Sequence, residues 1–207
     1  EPAAARWTMV AVASLTAPVL FLVARRLLHG RDGVALIAAA AWVLYPPAIW
    51  YATLVLTESM AALLVLAGLG TFLYAATARS AWPAALTGAL WALAALNRPT
   101  FMLLPLALLV VQIVLRRTGA SAWSWSGLQW AIGLASFALV MAPWTIRNYV
   151  EQGVFMPGTS GPGWLMLISN GTLSDPRVQA GGYYKDPELV RVRDDGASEV
   201  ERDAIGR

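Results

Sequence analysis

The sequence predicts an all-α polytopic membrane protein, with about six transmembrane helices followed by a mixed or irregular extracytoplasmic tail. Three observations carry that prediction. Only 13% of the 207 residues are charged and 58% are hydrophobic, whereas soluble domains carry about a quarter charged residues. The charge is also segregated: residues up to Arg147 hold nine arginines and three acids (Glu1, Asp32, Glu58), and those from Asn148 onward hold six basic and nine acidic residues. Between the arginines run uncharged stretches near the length of about 20 residues that a helix needs to cross a bilayer.

The isoelectric point near 9.6 averages a basic membrane region with a mildly acidic tail. Arginines set singly or in pairs between apolar runs do not make a nucleic-acid surface. The chain has no cysteine, which excludes disulfides and thiolate metal sites.

The first span, 7–24, is eighteen residues without a charge, closed by Arg25-Arg26. A short basic loop follows, Leu28-His29-Gly30-Arg31-Asp32-Gly33. The second span, 34–51, contains Pro46-Pro47 and is therefore expected to break near its far end. The third, 53–78, is interrupted only by Glu58 and closes at Arg79. The fourth, 82–97, is short and ends in Asn97-Arg98-Pro99, and the fifth, 100–115, closes at Arg116-Arg117. The connector Ala122-Trp123-Ser124-Trp125-Ser126-Gly127 reads as aromatics at headgroup level. The sixth span, 128–146, has Pro143 near its end and Arg147-Asn148 just beyond. Residues 149–207 form the extracytoplasmic segment, the start of a soluble region, in which Ser198-Glu199-Val200-Glu201 fits a capping box.

Alternating spans put Arg25, Arg26, Arg31, Arg79, Arg116 and Arg117 on one side, and Arg6, Arg98 and Arg147 on the other. Six against three in short loops places the first set in the cytoplasm. Pro46-Pro47, Glu58, Arg98, Arg147 and the tail then belong to the extracytoplasmic side. With a helix starting near Tyr51, Glu58 is expected roughly 10 Å below the outer surface, at 1.5 Å per residue.

A carboxylate inside a membrane is costly and a functional candidate by default. Arg98 and Arg147 close their spans at the same interface, and guanidinium forks match phosphate oxygens. Glu58, Arg98 and Arg147 are therefore the candidate donor- and phosphate-binding residues, and Tyr45, Tyr51, Asn97 and Asn148 are candidates to line the cavity. Each has a plainer reading. In it the arginines are snorkelling anchors, Glu58 and Arg98 a pair that only holds the bundle together, and Tyr45, Trp50 and Tyr51 part of an interfacial belt.

The remaining features read more simply. His29 is read as a solvated loop residue. Gly68 and Gly70 are read as close-packing positions. The Asn170-Gly171-Thr172 sequon is too short a signal to carry weight. The sequence contains no metal-ligand spacing, no phosphate-cradling glycine loop and no nucleophile–base pair, and it implies no cofactor.

Ala24-Arg25-Arg26-Leu27, Tyr45-Pro46, Leu56-Thr57-Glu58-Ser59, Leu96-Asn97-Arg98-Pro99-Thr100 and Pro143-Trp144-Thr145-Ile146-Arg147-Asn148-Tyr149 follow one another in order. Together with Gly153-Val154-Phe155-Met156-Pro157 and Asn170, this series resembles the glycosyltransferase family 39 proteins, relatives of protein mannosyltransferases and lipid A aminoarabinose transferases. The likeness covers about residues 5–170.

The resemblance implies a GT-C fold and an inverting transfer of a sugar from a polyprenyl-phosphate carrier to a lipid, glycan or protein acceptor. It also implies a multi-pass protein of the bacterial plasma membrane. Arg98 and Arg147 would stabilise the leaving phosphate, and Glu58 would line the donor cavity. The family's catalytic aspartate lies in the first extracytoplasmic loop, which would fall upstream of Glu1, so the catalytic residue is unknown here and that role is not carried to Glu58. The chain is accordingly expected to be an internal fragment, inactive alone. Two other classes stay open: a multi-pass transporter or flippase for a lipid-linked or small polar solute, which broken spans also suit, and a non-catalytic membrane scaffold.

Overall fold

Proline and glycine set most of the helix boundaries. The computed structural model describes residues 2–54, 56–78, 80–118, 124–153 and 155–158. The sequon at Asn170, the capping box at Ser198, Trp123 and most of the 149–207 tail lie outside the described residues. Among the described residues the chain is all-helical, with α1 (Pro2–Leu27), α2 (Asp32–Val43), α3 (Pro46–Thr53), α4 (Thr57–Ala78), α5 (Trp82–Asn97), a 3-10 turn (Pro99–Leu103), α6 (Leu104–Arg117) and α7 (Gly127–Gln152).

α1 ends in a Schellman turn. Gly30 N–H donates to the Arg25 carbonyl at 2.8 Å and His29 N–H to the Arg26 carbonyl at 3.4 Å. His29 takes the left-handed position at φ 55°, with Gly30 following at φ 84°. Pro46 and Pro47 then open α3, where the missing N–H groups are tolerated. Tyr45 before them is extended, as a residue preceding proline prefers. α2 and α3 meet at 54°, so the expected break in the second span is present.

Two boundaries differ from expectation. α4 begins at Thr57, not near residue 51, because Leu54 is extended and α3 is a helix of its own. Glu58 therefore stands in the first turn of α4, and the 10 Å depth does not hold. There the helix macrodipole favours a carboxylate. α7 runs on to Gln152 with Pro143 inside it, so Arg147 and Asn148 are helical residues. Gly153, at φ 68°, follows its end.

Among the described residues, four helices are long and apolar enough to cross a membrane: Ala3–Leu27, Thr57–Ala78, Pro99–Arg117 and Gly127–Glu151. The bent α2–α3 pair makes a fifth if it counts as one span. α5, with 16 residues, is shorter. Leu36, Ile37, Leu106, Val110 and Leu139 stand exposed along these helices. Bare apolar surface of this kind on several helices is consistent with a multi-pass membrane protein.

The chain divides into two compact units, Glu1–Pro143 and Trp144–Arg207. In the first, α4 packs against both α1 and α5. Small residues permit the approach: a Cβ on Gly68 would meet the Trp91 indole at 2.3 Å, and one on Gly88 would lie 2.0 Å from the Gly133 carbonyl oxygen. Phe72, Trp91, Trp125 and Trp130 form the aromatic centre, with Phe72 stacked on Trp125 at 4.7 Å between ring centroids.

Trp125 corrects the headgroup-level reading of its connector, because it is only 1% exposed. Its indole N–H donates to the Phe72 carbonyl at 2.9 Å. Gln112 brackets its backbone, donating to the carbonyl at 3.1 Å and accepting from the N–H at 2.8 Å.

In the second unit, Asn148 is buried and folds the following segment back. Its amide nitrogen donates to the Met156 carbonyl at 3.1 Å and the Gly158 carbonyl at 2.9 Å. Trp144 donates to the same Gly158 carbonyl at 3.3 Å, and the Arg147 guanidinium lies 5.2 Å from the Trp144 ring centroid.

Candidate functional site at the start of α4

The end of α5 clasps the start of α4 through two adjacent pairs. Pro99 disfavours a helical conformation for Arg98, which is extended at φ −145° and ψ 114° and closes α5. From that position Arg98 Nη1 donates to Glu58 Oε1 at 2.8 Å. One residue earlier, Asn97 Nδ2 donates to the Thr57 carbonyl at 2.8 Å. Dipeptide Asn97-Arg98 thus grips dipeptide Thr57-Glu58.

The ion pair is half-buried, with the Arg98 side chain 40% and the Glu58 side chain 35% exposed. At that exposure a single pair contributes about 1 kcal/mol or less to stability. Glu58 is not fully occupied by it. Its second oxygen, Oε2, is buried and has no hydrogen-bond partner among the described residues. A buried acceptor left unmade costs about 1–3 kcal/mol, more when charged, so the arrangement is poorly explained as a stabilising device.

Glu58 also lines a cavity of about 560 Å³, walled by α1, the α2–α3 bend and the first turns of α4. That volume lies within the usual range for small-molecule sites, roughly 300–1,000 Å³. Tyr45 and Tyr51, expected as lining residues, are in its wall, and Glu58 is the sole charged residue lining it among the described residues. Most other polar side chains there are already engaged with their own helices. Ser14 Oγ donates to the Val10 carbonyl at 2.8 Å, and Thr53 Oγ1 to the Trp50 carbonyl at 2.8 Å.

Ser14 adds something the sequence reading passed over. Pro18, inside α1, has no N–H to return to the carbonyl four residues earlier, so the Ser14 carbonyl lacks its usual helical donor. Ser14 is among the residues lining the cavity, and the signal for its missing donor was a proline four residues later in an otherwise apolar span.

The seven predicted site residues fall into three sets. Glu58, Tyr45 and Tyr51 share the cavity. Arg98 and Asn97 are brought to the same helix end by direct bonds to Glu58 and Thr57. Arg147 and Asn148 belong to the second unit, where Asn148 fastens a chain segment and Arg147 is exposed beside Trp144.

The arrangement sets a carboxylate with one unpartnered oxygen, among the described residues, in the wall of an apolar space. It also offers a guanidinium to an anion at the same helix end, beside an apolar space. Comparison of the chain with protein-family models, with curated proteins and with solved structures finds no match.

Proposed function

We propose that this chain is part of a membrane glycosyltransferase that moves a sugar from a polyprenyl-phosphate donor to an acceptor on the extracytoplasmic side. The observation that carries the reading is the half-used carboxylate: Glu58 gives Oε1 to Arg98 and keeps a buried Oε2 unpartnered while lining an apolar cavity. A lipid-linked sugar phosphate has a matching set of groups. Its hydroxyls would donate to the Glu58 carboxylate, its phosphate would take the open part of the Arg98 fork, and its isoprenoid chain would lie along apolar helix surface.

In this reading Glu58 orients the donor and Arg98 stabilises negative charge as the phosphate leaves. Arg147 is the second candidate for that charge. The base that activates the acceptor is assigned to no residue of this chain. The protein is proposed to sit in a bacterial plasma membrane with residues 149–207 outside.

The test is transfer from a polyprenyl-phosphate sugar by the intact protein. Glu58→Gln and Arg98→Ala are each expected to lower turnover by about 100-fold or more while expression is retained. Wild-type turnover in both variants would remove these residues from the site.

A second reading, a transporter or flippase, is favoured by the 54° break between α2 and α3, since interrupted spans line substrate paths in transporters. Facilitated flux of a lipid-linked or polar solute, without transfer, would establish it instead.

A further inference from the structure

A second cavity, of about 690 Å³, lies between the C-terminal halves of α1 and α4. It shares no lining residue with the space around Glu58. Val19, Leu22 and Val23 of α1 and Ala67 of α4 give it an apolar wall, while Arg25 and Arg26 line it at the end of α1. We infer that this cavity binds an anionic phospholipid, with its phosphate on the Arg25–Arg26 pair and part of one acyl chain along the α1–α4 groove.

The two guanidinium groups are set for an anion in different ways. Arg26 is positioned by α4, donating to the Thr77 hydroxyl and standing over the Tyr74 ring at 5.2 Å from its centroid. Tyr74 is itself a lining residue, so the cation is aimed along the cavity wall. Arg25 uses its Nε on Asp32 Oδ1 at 2.6 Å, and its side chain remains 52% exposed. That leaves the terminal nitrogens of the fork outside this ion pair.

The charge balance favours an anion as well. Arg25, Arg26 and Arg31 face one acid, Asp32, across the turn between α1 and α2. The ligand must also be amphiphilic, because the same cavity offers hydrocarbon surface one to two helical turns before the arginines. Free phosphate would use only the arginines.

The experiment uses the full chain purified in detergent and exchanged into nanodiscs of phosphatidylglycerol or phosphatidylcholine, with retained lipid counted by native mass spectrometry. Preferential retention of one phosphatidylglycerol is expected, as is a higher melting temperature than in phosphatidylcholine. Arg25→Gln/Arg26→Gln should weaken phosphatidylglycerol retention roughly thirtyfold, on the basis of about fivefold per arginine at a lipid surface. Arg6→Gln/Arg117→Gln, which removes equal charge elsewhere, should leave it unchanged. Equal retention of the two lipids by the wild-type chain would overturn the inference without reliance on any variant. Unchanged retention in the Arg25/Arg26 variant would overturn it too, as would inorganic phosphate giving the same melting shift at the same concentration.

Discussion

The connector around Trp125 and the clasp around Glu58 both tie helix ends together with polar groups, but they leave those groups in opposite states. At the connector, Gln112 is used at both ends of its amide. Gln129 accepts from Ser126 N–H and donates to the Ala75 carbonyl at 2.7 Å, and Arg116 adds a bond to the Trp125 carbonyl at 2.7 Å. At the clasp, one oxygen of a charged carboxylate is buried without a donor. Among the described residues the core also leaves the Trp91 and Trp130 indole N–H groups without acceptors, but a neutral donor is far less costly to bury than a charge. The connector's glutamine amides are satisfied inside the chain. The charged group left half-satisfied beside a cavity is what the proposed ligand role rests on.

The largest expected effect falls on the connector. Trp125→Ala removes the stack on Phe72 and the bond to its carbonyl, and it should cost about 3–5 kcal/mol, read as a large fall in melting temperature in detergent. Next comes Gly88→Ala. A Cβ there has no room beside the backbone of Gly133, and overpacking of this kind costs about 1–3 kcal/mol.

The clasp should behave differently. Arg98→Ala is expected to cost about 1 kcal/mol, because the pair is half-exposed but its loss strips Glu58 of its cation. Glu58→Gln should lie within about 0.5 kcal/mol of wild type, since it removes a charge with a buried, unpartnered oxygen while an amide oxygen can still accept from Arg98. A fall comparable to that of Trp125→Ala would erase the contrast between the two regions. Asp32→Asn is expected to have a small effect of the same order. Its exposed bridge to Arg25 is worth about 0.2–1 kcal/mol, and raised salt should shrink it further.

Where backbone chemistry dictated the fold, the sequence was readable. Pro46-Pro47 announced the bend, and Pro99 announced the extended Arg98 that closes α5. Gly68 was read as a packing position, and it is one. The late start of α4 was hidden because Leu54-Val55-Leu56 is as apolar as the helices around it, and hydropathy carries no information on whether the backbone is helical.

Burial of Trp125 was hidden for a related reason. Trp beside Ser and Gly looks the same at a membrane interface as in a buried turn. The readable sign lay elsewhere, in Gln112 and Gln129, amides in apolar segments that need buried partners. Of the candidate site, the meeting of Glu58 with Arg98 was anticipated from topology. The unfilled oxygen and the cavity depend on side-chain placement and had no sequence signal. Asn148 looked like a site residue for its place beside Arg147, and its amide instead holds Met156 and Gly158.

The most direct test of the central claim pairs two readouts on one variant, Glu58→Gln in the intact protein. A melting temperature near wild type, together with loss of sugar transfer from a polyprenyl-phosphate donor, is the predicted result. Undiminished transfer, or loss of transfer accompanied by a collapse in melting temperature, would show that Glu58 is a fastening of the bundle and not part of its chemistry.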